Sequence, residues 1–127
     1  MDYKLEVVGI PVSDVDAAVA FYRDVVGFHL DHDVEPGNGM RVVQMTPSGS
    51  ATSIAFGSGM PLGEPGSTKG LQLCVTDIDA ARTELVGRGL DITDVQLLGP
   101  PDMDGSKFAF FADPDGNGWS LQELRRG

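Results

Sequence analysis

One cysteine, one tryptophan and two histidines stand in a chain of 127 residues, so the side chains that usually build staples, metal centres and relays are scarce. With Cys74 alone, an intramolecular disulfide is impossible and a zinc site built on several cysteines is excluded. Long apolar runs are missing too, since none approaches the ~20 residues that span a bilayer. The opening Met1-Asp2-Tyr3-Lys4 has neither the basic region nor the apolar stretch of a signal peptide, and the expectation is a soluble, cytoplasmic protein without a membrane partner. Cations are few: nine Lys+Arg against nineteen Asp+Glu give a formal charge of −10. Nucleic acid is disfavoured as a partner, because binding it requires neutralising a dense line of phosphates. The same field either serves solubility alone or also draws in a cationic ligand.

What is present is a globular balance, 41 % hydrophobic and 22 % charged. The chain also echoes itself. Val12-Ser13-Asp14-Val15-Asp16-Ala17-Ala18 returns 63 residues later as Val75-Thr76-Asp77-Ile78-Asp79-Ala80-Ala81. In each copy an alternating strand leads into an Asp suited to cap the helix after it. The apolar spacing predicts helices over Val15–Val26 and Ile78–Arg88, closed by Gly27-Phe28 and Gly89-Leu90. Thr46-Pro47-Ser48-Gly49-Ser50 is matched 67 residues on by Asp113-Pro114-Asp115-Gly116-Asn117, turn chemistry between strands Met40–Met45 and Thr52–Phe56, and Lys107–Ala112 and Trp119–Leu124. Each half therefore reads β-α-β-β-β, an α+β chain of two tandem modules. Residues 57–69, rich in Gly and Pro, read as a flexible connector between module 1 (about 2–57) and module 2 (about 70–124) of a single domain covering 1–127.

Paired βαβββ modules, with the opening PVSDVDAAVAFYRDVVGF and the close DPDGNGWSLQE, resemble the vicinal oxygen chelate superfamily. That group includes glyoxalase, extradiol dioxygenases, methylmalonyl-CoA epimerase, fosfomycin-inactivating transferases and bleomycin-binding resistance proteins. The resemblance implies curved mixed sheets forming a half-barrel or barrel-like concavity for a ligand. It also implies a homodimer in which modules of two chains complete a barrel. The enzymes of the group hold a divalent metal with inward His or Glu. Counted from the capping Asp residues and the Asp-Pro-Asp-Gly turn, those places fall at Val7, Gly70, Ser120, and Ser53 or, with a slip of two, Ala55. Valine, glycine and alanine cannot coordinate, and a serine hydroxyl is a poor ligand. The expectation is a chain without metal or other cofactor.

Alternation then assigns the cavity lining: Val7, Gly9, Ser53, Ala55, Gln72, Cys74, Ser120 and Gln122 face inward. Val8, Ile10, Val12, Phe21, Leu71, Leu73, Val75, Leu85 and Leu121 are expected to be buried. Small side chains leave room, and the two carboxamides orient a neutral or cationic organic ligand unless they only satisfy one another or water. Anionic substrates are disfavoured. Cys74 reads as a small filler, and Phe108, Phe110 and Trp119 read as core. Whether Arg41 or Gln44 faces inward is open. His29 and His32, three apart on an edge strand, are expected on opposite faces. Glu6 and Glu123 point outward or toward the helices, Asp113 and Asp115 serve the turn, and no acid–base pair or His-centred relay is visible. Two functions that involve a ligand remain. One is a metal-free small-molecule-binding protein of the glyoxalase/bleomycin-resistance type, with antibiotic sequestration as one such role. The other is an enzyme, either a glyoxalase-like or dioxygenase-like lyase or isomerase or a metal-free enzyme of secondary metabolism. An assembly module without a ligand is the third alternative.

Overall fold

A computed structural model describes residues 1–125. Asp14 and Asp77 each hold extended backbone at the head of a helix. Their carboxylates accept from Ala17 N (3.1 Å) and Ala80 N (3.0 Å), satisfying an amide the first turn leaves unpaired. The first helix, α1, is α-helical over Val15–Ala20 and continues as a π-helical segment, Phe21–Val26. The amides of Gly27 and Phe28 both bond to Tyr22 O there, at 3.0 and 2.8 Å. The segment accommodates one extra residue. In α2, Ile78–Gly87, it is Leu90 N that bonds to Leu85 O, so Tyr22 corresponds to Leu85 and Phe28 to Leu90. The offset between the halves drops by one across the helix for that reason.

The strands are β1 Val7–Gly9, β2 His29–Gly37, β3 Met40–Thr46, β4 Ser53–Ser58, β5 Leu71–Val75, β6 Gln96–Leu97, β7 Lys107–Ala112 and β8 Gly118–Glu123. They form two mixed sheets of like order, β1-β4-β3-β2 and β5-β8-β7-β6, and in each only the first pair is parallel. The fold is α+β as the sequence predicts. The two sheets stay open rather than closing into a barrel.

Both sheets turn their helix-facing sides to one core. Tyr22 of α1, fully buried, packs on Phe56 of the first sheet and on Trp119 of the second, with ring centroids 5.8 Å apart in each case. Ile10, Val43 and Met45 line this core from one side, and Ala109, Phe111 and Leu121 from the other. Of the nine residues expected inside, Ile10, Leu85 and Leu121 are fully buried. Val8, Leu71, Leu73 and Val75 are half-buried, since β1 and β5 are sheet edges, and Val12 and Phe21, outside those strands, are half-buried as well. Phe110 is 36 % exposed and Phe108 half-buried, contrary to their expected place in the core. Both sit on the opposite face of β7 from Ala109 and Phe111. Trp119 is core as expected. The connector has no regular element but is packed: Leu62 lies over Gly9, where an added Cβ would stand 2.6 Å from its Cδ2.

Candidate functional site

With the helix-facing sides used by the core, each sheet keeps an open face pointing away from it. The eight lining residues divide between these two faces rather than converging on one enclosed cavity. Val7, Gly9, Ser53 and Ala55 lie on the first sheet, where Val7 pairs with Ser53 and Gly9 with Ala55. Gln72, Cys74, Ser120 and Gln122 lie on the second, where Gln72 pairs with Ser120 and Cys74 with Gln122.

The second open face carries an aromatic platform. Phe110 pairs with Ser120 and Phe108 with Gln122, so the two rings stand beside the polar row. They are nearly parallel (6°) with centroids 6.1 Å apart. Such a surface presents flat apolar area with hydrogen-bonding groups at its side, the combination that orients a planar ligand. Gln122 does not bond to Gln72. Its Nε2 donates to Gly105 O at 2.8 Å, which ties down the loop before β7 and leaves its carbonyl oxygen for another donor. Gln72 and Cys74 are exposed on the edge strand β5. Sequence reasoning missed Phe108 and Phe110 because an F-A-F-F run gives no clear alternation from which to choose the buried pair.

The first open face is more polar than expected. A bulge in β2 sets Leu30 opposite Met45 and His32 opposite Gln44, with Asp31 as the extra residue. His29 lies opposite Thr46. The slip puts His29 and His32 on the same face, not opposite ones. It also assembles a hydrogen-bonded row: His29 Nδ1 to Asp31 Oδ1 at 2.9 Å, Thr46 Oγ1 donating to Asp31 Oδ2, and Thr46 Oγ1 to Ser53 Oγ at 2.6 Å. The Thr46 hydroxyl, followed by His29, holds the Asp31 carboxyl below its ordinary range. A hydrogen-bonded row that includes a histidine therefore exists, though no periodicity in the sequence marks it. Gln44 belongs to this face, where its Nε2 reaches Asp31 Oδ2 at 3.4 Å. Arg41 faces the helices instead, clamped by Asp33 (2.7 Å) and Asp16 (2.8 Å), which raise its pKa further.

The residues at the superfamily's metal positions do not fit a metal. The pairs Gly9–Ala55 and Gln72–Ser120 make Ala55, not Ser53, the counterpart of Ser120. Val7, Ala55 and Gly70 offer no donor atom, and Ser120 offers one neutral hydroxyl. Glu123 is turned to the helix side, where Oε1 accepts from Ile78 N at 3.2 Å and Oε2 faces Lys107 and Arg125. Among the described residues, no three His, Cys, Asp or Glu side chains gather as a metal site would require. Nor is any helix long and apolar enough to cross a membrane.

Two open mixed sheets, each with one helix on its inner side and an open face on the other, define a class of fold. The Glyoxalase/Bleomycin resistance protein/Dioxygenase superfamily matches residues 4–121, and the chain belongs to it. Among solved structures it is similar to TnmS3, an antibiotic binding protein from Streptomyces sp. CB03234. They share 35 % identity over 97 % of each chain, with a TM-score of 0.81. A glyoxalase/bleomycin resistance protein from the same organism shares 36 % identity over 94 % of this chain and 100 % of that one, with a TM-score of 0.77. A superfamily member from Sphaerobacter thermophilus DSM 20745 shares 31 % over 96 % and 98 %, with a TM-score of 0.79. No curated protein matches the chain.

Proposed function

We propose that this protein is a metal-free small-molecule binder of the bleomycin-resistance type, with sequestration of an antibiotic as its role. The observation that carries the reading is the parallel Phe108–Phe110 pair, half-buried at Phe108 and exposed at Phe110, beside Gln72, Ser120 and Gln122. Such a face takes a planar organic molecule, neutral or cationic, by stacking and two or three hydrogen bonds. The likeness to an antibiotic binding protein over nearly the whole chain supports it. One chain offers only a wall, since its open faces point away from the shared core. A homodimer that brings the first face of one copy over the second face of the other encloses a site and covers exposed apolar groups such as Val7 and Phe110. A screen of neutral and cationic polycyclic antibiotics by thermal shift tests the reading. A ligand at ~100 times its Kd adds ~2.7 kcal/mol. Binding that survives Phe110→Ala unchanged, or no binder in the panel, counts against it. Light scattering should give about twice the 13.4 kDa chain mass.

A metal-free enzyme is the second reading, favoured by the His29–Asp31–Thr46–Ser53 row on the first face. Turnover of a bound ligand that is lost in Ser53→Ala and His29→Gln would select it.

A further inference from the structure

The two open faces differ in chemistry although the modules share one plan. Gln44 pairs with Ala55 as Phe110 pairs with Ser120, and Val42 with Gly57 as Phe108 with Gln122. Gln44 thus stands on the first face where Phe110 stands on the second, and Val42 where Phe108 does. The second face has no charged residue in its row of Gln72, Ser120, Gln122, Phe108 and Phe110. The first has Asp31, whose side chain is 24 % exposed, so its carboxylate is reached from solvent.

The protons in the row around Asp31 point toward it. Thr46 Oγ1 has one hydrogen and donates it to Asp31 Oδ2, so Ser53 Oγ, 2.6 Å away, is the donor to Thr46. His29 Nδ1 faces Asp31 Oδ1 at 2.9 Å, and Gln44 Nε2 faces Oδ2 at 3.4 Å. Acceptors are what the row leaves for a ligand. They are the remaining lone pairs of the carboxylate and the Gln44 carbonyl oxygen, which takes no hydrogen bond among the described residues. The bonds from Thr46 and His29 also favour the charged form of the carboxyl. No permanent cation neutralises it from its own face. Arg41, the only Lys or Arg in β1–β4, lies on the other side of the sheet, held by Asp33 and Asp16. An ionised carboxylate beside a free carbonyl oxygen calls for a donor that carries positive charge.

We propose that Asp31, with Gln44 beside it, is the specificity determinant of the binding site and takes a primary ammonium group of the ligand. The inference rests on the dimeric site proposed above, in which the first face of one copy closes over the Phe108–Phe110 pair of the other. The ligand class then narrows from any planar molecule to a polycyclic aromatic that carries a basic alkylamine. The duplicated module has divided the work: one face stacks the ring system and the other holds the charge.

The test titrates the full-length protein with two fluorescent probes of one shape, pyrenylmethylamine and pyrenylmethanol. It is run at about pH 8, where an alkylamine is protonated and a free imidazole is neutral. The amine should bind at least tenfold tighter than the alcohol. Asp31→Asn should abolish that preference while leaving the Kd of the alcohol unchanged. Gln44→Leu should reduce the preference at least threefold, which keeps the test alive if Asp31→Asn fails to fold. Asp91→Asn, an exposed change of the same charge in the other half, should leave the preference intact, which separates the local carboxylate from the overall charge of −10. Equal binding of the two probes overturns the inference and leaves the aromatic face standing. So does a preference that survives Asp31→Asn or Gln44→Leu, or one that Asp91→Asn lowers as much. Binding of both probes that Phe110→Ala leaves unchanged overturns the aromatic reading instead, and a preference still lost in Asp31→Asn then supports the ammonium assignment alone. Binding of neither probe overturns both.

Discussion

Replacing Tyr22 by Phe removes one oxygen atom from the centre of the molecule and unpairs two partners at once. The ring stays, with its packing on Phe28, Phe56 and Trp119, so the apolar contribution is nearly conserved. What goes is a 2.7 Å hydrogen bond to the buried Asp113 carboxylate and the acceptor for Trp119 Nε1–H. A hydrogen bond to a charged group contributes ~1.5–3 kcal/mol, and a stranded buried N–H costs ~1–3 kcal/mol. Asp113 keeps three other donors, the amides of Asp115 and Asn117 and the Asn117 side chain, so it is not left bare. The two effects overlap in one network, and a loss of about 3 kcal/mol is expected, with a fall in Tm on the order of 10 °C. Urea unfolding followed by tryptophan emission reads it directly, because Trp119 is the sole tryptophan. A double cycle with Trp119→Phe, with unfolding of all four proteins followed by circular dichroism because that variant has no tryptophan, should show coupling of ~1 kcal/mol or more. A loss under 1 kcal/mol, or additive single effects, would refute the view that this network locks the two halves together. Tyr22 itself should not ionise in the accessible range, since burial first and Asp113 second push its pKa far up.

Gln72→Leu should weaken a ligand stacked on Phe110 by ~1–3 kcal/mol in calorimetry, whereas Gln122→Leu should also lower Tm by freeing the loop at Gly105. Gly57→Ala should destabilise by at least about 3 kcal/mol or prevent folding, because its Cβ would stand 1.8 Å from Arg41 O, measurable as lost soluble yield or Cm. The carboxyl of Asp33 is held below its ordinary range by the Arg41 hydrogen bond, so this pair stabilises above the unfolded Asp pKa of ~3.9 and loses that contribution as pH falls through the folded value. The stability gap between wild type and Arg41→Met should therefore narrow below about pH 4 in acid titrations followed by circular dichroism.

Much of the architecture was legible in the chain because it rests on local chemistry. An Asp before an apolar helix pattern caps it wherever it occurs, and both helices start where Asp14 and Asp77 put them. Period-two alternation separated Ile10 and Leu121 from Gly9 and Gln122 before any fold was known. The absence of donors at Val7, Gly70 and Ala55 is likewise a property of residue types. The faces of β2 and β7 were not legible. A one-residue bulge at Asp31 inverts the parity on which alternation depends, and so brought His29, Asp31, Thr46 and Ser53 into one row. The F-A-F-F run of β7 has apolar residues on both faces, and only packing against Trp119 selected Ala109 and Phe111 for the core.

What the amino acids determined by themselves is the set of elements, their caps and turns, and the lack of metal-donor atoms at Val7, Ala55 and Gly70. The tertiary structure alone decided that both sheets spend their helix-facing sides on one shared core. The reason is the single buried phenol of Tyr22, which satisfies its hydroxyl only by reaching across to Asp113 and Trp119 of the other half. That reach turns the two open faces away from each other and fills the junction between α1 and the 113–117 turn.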